Sequence, residues 1–184
     1  MLYILVSYLV GSLLFAFLIG KLKNVNLQNE NSGNLGARNA GRTIGKWAFV
    51  AVAVGDGLKG FLVVVIGRLL QFSEPIIALA VIAAILGHLY PFWNKGHGGK
   101  GVATVVGAMI AFSPVYFIVF LISFLLSMLL TKSATLSMVI GFVIYGITLG
   151  IVMPAGGIFS IALALVVWKQ RKSIMERVKP NVLE

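Results

Sequence analysis

Long apolar runs separated by short polar breaks extend from the first residue to about residue 168. The runs lie at about 2–20, 47–70, 76–93, 102–112, 114–130, 135–152 and 155–168. Most of them approach or exceed the ~20 residues that a helix needs to cross a ~30 Å hydrocarbon core, and none alternates strictly as a barrel strand does. The pattern therefore predicts an all-α integral membrane protein with seven transmembrane or half-spanning helices.

The stretch 102–130 decides the orientation of these helices, because it is either one kinked helix or two helices that turn back at Ser113–Pro114. If the chain turns back, one side of the membrane carries nearly all basic side chains and the other carries only Arg68. The first side then holds Lys21, Lys23, Arg38, Arg42, Lys46, Lys95, Lys100, Lys132, Lys169, Arg171, Lys172, Arg177 and Lys179. Because cytoplasmic loops are enriched in lysine and arginine, we predict two helices, an outside N-terminus and a cytoplasmic C-terminus. The cytoplasmic segments are then the loops 21–46, 94–101 and 131–134 and the tail 169–184.

The first and fourth apolar runs each need a separate interpretation, the first because of its position at residue 1 and the fourth because of its length. Residues 1–20 have no basic start and no small-residue cleavage site, so they predict a retained helix and not a removed signal peptide. The run 102–112 is only about 16 Å long at ~1.5 Å per residue, so it is a half-span or the loop before it lies below the membrane surface. The chain shows no internal repeat, and we predict one domain over residues 1–184.

The composition agrees with a membrane protein. Of the 184 residues, 59% are hydrophobic and 11% are charged, and the mean hydropathy is +1.01. The net charge of +10 fits cytoplasmic loops beside anionic headgroups, so we expect a lipid bilayer and no nucleic acid as partner. With no cysteine, two histidines and five acidic residues, thiolate chemistry is excluded and a metal centre is not expected. We predict a monomer without cofactor or metal.

A glycine-rich basic loop, GHGGKG at 96–101, lies between two apolar runs. Glycines let backbone N–H groups approach an anion, a helix N-terminus adds further donors, and Lys100 adds a full positive charge. Alternatively, the glycines only form a tight turn and let helices pack closely. The candidate phosphate-binding residues here are Gly98, Gly99, Gly101 and Thr104, with Lys100 as a catalytic candidate.

A second loop, SGNLGARNAGRT at 32–43, concentrates hydrogen-bond donors on a glycine- and asparagine-rich backbone. Arg42 is notable because a guanidinium binds a phosphate through two parallel hydrogen bonds. A disordered solvated loop is the alternative, although alternating glycine and asparagine favour an ordered turn. The candidate substrate-binding residues here are Ser32, Gly33, Asn34, Gly36 and Asn39, with Arg42 as a catalytic candidate.

Asp56, Lys59 and His88 stand inside apolar runs. Asp56 and Lys59 lie three residues apart, so they share a helix face and can pair. The pair either joins helices structurally or lines a substrate site. His88 lies three residues before Pro91, where a helix should end; it is either a hydrogen-bonded helix-end residue or a catalytic group.

These motifs, in this order and separation, resemble those of the acyl-phosphate:glycerol-3-phosphate acyltransferase family of bacterial inner membranes. The resemblance rests on SGNLGARN with Arg42, on GDGLKG and on GHLYPFWNKGHGGKGVAT. It implies a seven-helix enzyme that moves an acyl group from acyl phosphate to the 1-hydroxyl of glycerol 3-phosphate, yielding lysophosphatidic acid and phosphate. It also implies direct attack by the acceptor hydroxyl, which agrees with the absence of a GxSxG elbow or a cysteine nucleophile. By position, the residues that match the family's polar motif residues are Ser32, Asn34, Asn39, Arg42, His88 and Lys100.

The chain departs from the family pattern at four places. GSxPxG near the start is GSLLFA here, and SGNxGATN carries Arg38 in place of threonine. In the third motif Thr135 takes the place of a serine and keeps a hydroxyl, so it joins the catalytic candidates. Gln170 and Ser173 replace a histidine and an asparagine. The alternative hypothesis is therefore a non-catalytic paralogue, or a transporter, that binds a phosphorylated solute.

Overall fold

All secondary structure in the described part of the chain is helical. The structure is a computed structural model that describes residues 1–178. Within that range the ten α-helices are α1 (Leu2–Ser12), α2 (Phe15–Leu22), α3 (Ala37–Thr43), α4 (Lys46–Leu69), α5 (Glu74–Leu89), α6 (Val102–Phe112), α7 (Pro114–Thr131), α8 (Ala134–Val152), α9 (Gly156–Lys169) and α10 (Arg171–Val178). A short 3-10 turn at Phe92–Asn94 follows α5. The predicted all-α fold is confirmed over these residues.

Five stretches within residues 1–178 are long and apolar enough to cross a membrane. They are Leu2–Leu22, Lys46–Leu69, Glu74–Asn94, Pro114–Thr131 and Ala134–Val152. Two further apolar helices, Val102–Phe112 and Gly156–Lys169, are shorter. These seven stretches correspond to the seven apolar runs of the sequence. The count of seven membrane helices and the orientation of the termini stay predictions.

Three segments differ from their predicted form. The first apolar run is not one helix, since it is interrupted between Ser12 and Phe15. The predicted loop 21–46 contains α3, and the predicted tail contains α10. The remainder of that tail, with the basic residue Lys179, lies outside the described residues. Both of these helices, α3 and α10, are short and polar, so the sequence has no apolar periodicity that would predict them.

The chain divides into two compact units, Met1–Phe112 and a second unit that begins at Ser113. In the first unit α4 packs against α6, α3 and α5, and α1 packs against α5. In the second unit α7 packs against α8, and α8 packs against α9. A single domain over residues 1–184 stays a prediction.

Glycines bring the helices of the first unit into backbone contact. A Cβ added at Gly60 of α4 would strike the carbonyl oxygen of Thr104 in α6, and one at Gly107 of α6 would strike the carbonyl oxygen of Gly57. Gly11 of α1 lies equally close to the backbone of α5. Small residues permit such close approach where lipid provides no hydrophobic driving force between helices. The close approach of α4 and α6 places Thr104 beside the charged residues of α4.

We expect Gly60→Ala to destabilise the protein by about 1–3 kcal/mol, because the new methyl group overlaps the Thr104 carbonyl and the two helices must move apart. Gly57→Ala is the matched control, since its Cβ would lie 3.6 Å from the Ala103 carbonyl oxygen, an ordinary contact. Thermal unfolding of both variants in the same lipid nanodiscs measures the difference. Equal unfolding temperatures for the two variants would contradict the close helix contact.

Candidate active site

The interruption between α1 and α2 is held by side chains from elsewhere in the first unit. Leu13 has an extended backbone there, so the last carbonyls of α1 have no helical partners. The Lys59 ammonium donates hydrogen bonds to the carbonyl oxygens of Gly11, at 2.9 Å, and of Leu13, at 2.6 Å. The indole N–H of Trp93 donates to the intervening carbonyl of Ser12 at 2.9 Å. Three consecutive carbonyls are thus satisfied by two side chains.

Asp56 stabilises the other side of the same interruption. The backbone N–H of Phe15, the first residue of α2, donates to the Asp56 carboxylate. Lys59 Nζ lies 3.0 Å from Asp56 Oδ1. Both residues are buried, with exposed fractions of 2% for Asp56 and 4% for Lys59. Because a buried charge without a counter-ion is very costly, each of the two depends on the other.

His88, in the last turn of α5, extends this cluster. Its Nδ1 lies 2.8 Å from Lys59 Nζ and 3.7 Å from Asp56 Oδ1. The hydroxyl oxygen of Thr104 stands 3.5 Å from the same Nδ1, at the outer limit of a hydrogen bond. His88 is buried, with 3% of its surface exposed. The histidine is therefore linked to the ion pair, a connection that its position before Pro91 could not show.

The two glycine-rich loops meet at Gly99, next to the His88 ring. The Gly99 N–H donates to the backbone carbonyl of His88 at 3.0 Å. A Cβ at Gly99 would overlap His88 Nε2 and would lie 2.7 Å from the carbonyl oxygen of Leu35, in the first loop. A Cβ at Gly98 would strike the His88 carbonyl oxygen. Only glycine therefore fits where the loops converge.

The first loop is an ordered turn that starts α3. Gly33 has a positive φ of 65°, and the Gly36 N–H donates to the carbonyl of Asn34 at 3.0 Å. Asn39 is buried, and its Nδ2 donates to the carbonyl of Leu27 at 2.8 Å. Its Oδ1 has no hydrogen-bond partner among the described residues. The ordered reading of this loop is thus confirmed within residues 1–178.

The basic residues of the two loops stand at short helices of the first unit. Arg42 lies in the last turn of α3 and is exposed, as is Ser32 ahead of that helix. Lys100 is half-buried and is followed by Gly101, whose φ is +78°, just before α6 begins. The start of an α-helix offers backbone N–H donors and a partial positive charge. With Lys100 beside it, the N-terminus of α6 can hold an anionic group.

One predicted catalytic residue, Thr135, lies in the second unit. Thr135 is buried in the first turn of α8, and its place in the site stays a prediction. Gln170 is buried, with its Nε2 3.3 Å from the sulfur of Met138, and Arg171 stacks on Trp168 at 4.5 Å. All other predicted site residues belong to the first unit.

Sequence reasoning missed the role of Trp93. Its indole N–H reaches Ser12, 81 positions away. No local signal in the sequence joins two positions so far apart. The sequence shows an indole donor close to Pro91, where α5 ends. It does not show that the Ser12 carbonyl accepts the hydrogen bond.

Comparison with known proteins supports one family. The family model for glycerol-3-phosphate acyltransferase matches residues 1–179. Glycerol-3-phosphate acyltransferase 1 of Bacillus cereus is 46% identical over 112 residues, which cover 60% of this chain and 62% of the relative. The Prochlorococcus marinus glycerol-3-phosphate acyltransferase is 47% identical over 111 residues, covering 60% of this chain and 56% of the relative. The chain thus spans about three fifths of the length of these curated relatives.

A solved structure extends the likeness over nearly the whole chain. The crystal structure of PlsY (YgiH), an integral membrane glycerol 3-phosphate acyltransferase, in its glycerol 3-phosphate form superposes with a TM-score of 0.87 at 30% identity. It covers 97% of this chain and 92% of the other. The lysophosphatidic acid form of the same protein gives a TM-score of 0.85 at 29% identity. The all-helical fold and this likeness identify a multi-pass membrane protein, and the chain belongs to the glycerol-3-phosphate acyltransferase family.

Proposed function

We propose that this protein transfers a fatty acyl group from acyl phosphate to the 1-hydroxyl of glycerol 3-phosphate, as a step of phospholipid synthesis. The hydroxyl oxygen forms an ester bond with the acyl carbon, the bond from that carbon to the phosphate oxygen breaks, and the hydroxyl proton leaves with the phosphate. The products are lysophosphatidic acid and inorganic phosphate. The observation that carries the proposal is the meeting of two basic glycine-rich loops at Gly99, beside His88.

The two loops suit two substrates that each carry a phosphate group. Lys100 and the N-terminus of α6 supply charge and backbone donors on one side, and Arg42 supplies a guanidinium on α3. Such fixed donors stabilise the negative charge that develops on the acyl carbonyl and the leaving phosphate. The names of the relatives and the two ligand forms of PlsY support this assignment of substrate and product.

No covalent enzyme intermediate is required by this chemistry. Acyl phosphate is an activated mixed anhydride, and the chain has no cysteine that could act as a nucleophile. The protein's contribution is then to hold both substrates with the hydroxyl close to the acyl carbon. Thr135 is proposed as a further hydroxyl of the site on the strength of its motif position.

We propose that the protein works as a monomer in the bacterial inner membrane, with the site facing the cytoplasm and without cofactor or metal. The basic loops that bear Arg42 and Lys100 support this orientation, because cytoplasmic segments carry the excess of basic residues. Acyl chains dissolved in the bilayer could approach a site at its surface, whereas glycerol 3-phosphate would arrive from water.

Purified protein in nanodiscs should convert glycerol 3-phosphate and acyl phosphate into lysophosphatidic acid, and should form none when acyl-CoA replaces acyl phosphate. Mass spectrometry of the lipid product with phosphate release measured in parallel tests both halves of the reaction. Product from neither donor would refute the enzyme proposal. Glycerol 3-phosphate flux in proteoliposomes without product would instead favour a transporter.

Lys100→Ala should lower kcat/KM by about 100-fold or more, the usual loss when one donor to a developing oxyanion is removed. Lys95→Gln is the matched control: Lys95 belongs to the same loop but is exposed, and its removal changes the net charge equally. Initial rates of phosphate release compare the two variants. Equal losses for both would mean that Lys100 acts only through the general positive charge of the loop.

Arg42→Lys keeps the charge but replaces a planar fork with a point charge, so we expect KM for a phosphate-bearing substrate to rise about tenfold, the loss of roughly one hydrogen bond to an ion. Arg38→Thr, on the same short helix, is the control and restores the residue usual in the family. Saturation curves for each substrate in turn would show which phosphate Arg42 binds. Unchanged KM values for both substrates in Arg42→Lys would remove Arg42 from the binding site.

A further inference from the structure

The contacts of Lys59 account for every hydrogen of its ammonium group. The Nζ atom donates to the Gly11 carbonyl at 2.9 Å and to the Leu13 carbonyl at 2.6 Å, and it lies 2.8 Å from His88 Nδ1. An ammonium group has three donors and no acceptor. Asp56 Oδ1 stands 3.0 Å away, the longest of the four distances around Nζ. Three hydrogens face four neighbours, so the third N–H has His88 Nδ1 as its closer acceptor, while the Asp56 carboxylate supplies the counter-charge.

We propose that Lys59 is a positioning residue that holds His88 as a neutral imidazole with its proton on Nε2. A donor-only group at 2.8 Å requires Nδ1 to accept, so Nδ1 carries a lone pair and no proton. A neutral ring must then carry its proton on Nε2, because the hydrogen bond at one ring nitrogen sets the state of the other. Lys59 thereby makes Nε2, on the opposite edge of the ring, a hydrogen-bond donor.

The opposite edge of His88 faces the junction of the two loops. Nε2 is the ring atom nearest to the position of a Cβ on Gly99, where the first loop also contributes the Leu35 carbonyl. A protonated Nε2 is a hydrogen-bond donor directed toward this junction. Resting on the proposed function, this makes His88 a donor to a substrate oxyanion and not the base that removes the hydroxyl proton.

The arrangement is the reverse of one that would prepare a histidine as a base. In that case a carboxylate accepts the proton of Nδ1 and leaves a lone pair on Nε2. Here the Asp56 carboxylate lies 3.7 Å from Nδ1, beyond hydrogen-bond distance. Lys59 occupies the closer position. The cluster thus contains the aspartate and histidine of an acid–base relay. In such a relay Nδ1 donates to the carboxylate, whereas here Nδ1 accepts from Lys59.

Nitrogen NMR of the ring tests this directly, because the chain has only two histidines. Ring-¹⁵N histidine is incorporated into the protein in nanodiscs, and His97→Gln leaves His88 as the sole signal. We expect an unprotonated Nδ1, a protonated Nε2 and a correlation from lysine ammonium protons to Nδ1 at neutral pH. A proton on Nδ1, a doubly protonated ring or the absence of that correlation would overturn the proposal.

A double variant tests whether Lys59 is the cause. Asp56→Asn with Lys59→Met removes both charges, which avoids leaving either one buried alone. We expect the proton of His88 to distribute over both ring nitrogens and kcat/KM to fall about tenfold, the scale of one lost hydrogen bond. A ring that keeps its proton on Nε2 alone in this variant would overturn the role of Lys59.

Trp93→Phe is the matched control, because it removes another hydrogen bond to the same interruption without contact to His88. We expect its His88 spectrum to match that of the wild type. If Trp93→Phe alters the ring nitrogens as the double variant does, the effect comes from the interruption, and the positioning role of Lys59 fails.

The two proposals fail separately. The spectra need no turnover, so an inactive wild type with the expected ring state would reject the acyltransferase proposal and keep the role of Lys59. If the double variant does not fold, the wild-type ring state and its lysine correlation still decide the question. An active wild type with a protonated Nδ1 would keep the function and reject the positioning role.

Discussion

A backbone interruption inside an apolar helix bundle is the constraint on which the site depends. A buried carbonyl without a partner costs a few kcal/mol, and the break after α1 leaves three in succession. Lys59 and Trp93 satisfy them, and Asp56 both neutralises Lys59 and accepts from the start of α2. A charged pair is expensive to bury, yet here it replaces hydrogen bonds that the helix cannot make. The ion pair therefore stabilises the interruption, and the interruption provides the hydrogen-bond partners that make the buried pair tolerable.

The same ion pair connects the interruption to the loops. Lys59 contacts His88, whose carbonyl binds the Gly99 N–H and whose ring lies against that glycine. Gly99 in turn meets the Leu35 carbonyl of the first loop. In the proposed function two phosphates are held in a fixed relation, which needs such rigid support because small displacements of reacting atoms lower the rate strongly. Helix α4 thus supports the site indirectly, through the contact of Lys59 with His88.

The departures from the family pattern differ in whether neighbouring contacts compensate for them. GSLLFA lacks the usual proline, but the chain still breaks at Leu13, since side-chain donors from other helices stabilise the extended backbone. Gln170, which replaces a histidine, is buried against Met138 in the second unit. The first departure is therefore compensated by neighbouring contacts, whereas the second changes a buried polar group. Thr135 keeps the hydroxyl that its motif position calls for.

The sequence determined the apolar helices from α4 to α9 and the loops that bear the chemistry, because apolar run length, proline and glycine act over a few residues. Pro91 ended α5, Pro114 began α7, and the glycines around Lys100 marked an ordered loop. Only the tertiary structure decided what these residues touch. Lys59 meets His88 across 29 positions and Leu13 across 46, and Trp93 meets Ser12 across 81. Such contacts arise from helix packing, and no local period or spacing in the chain encodes them.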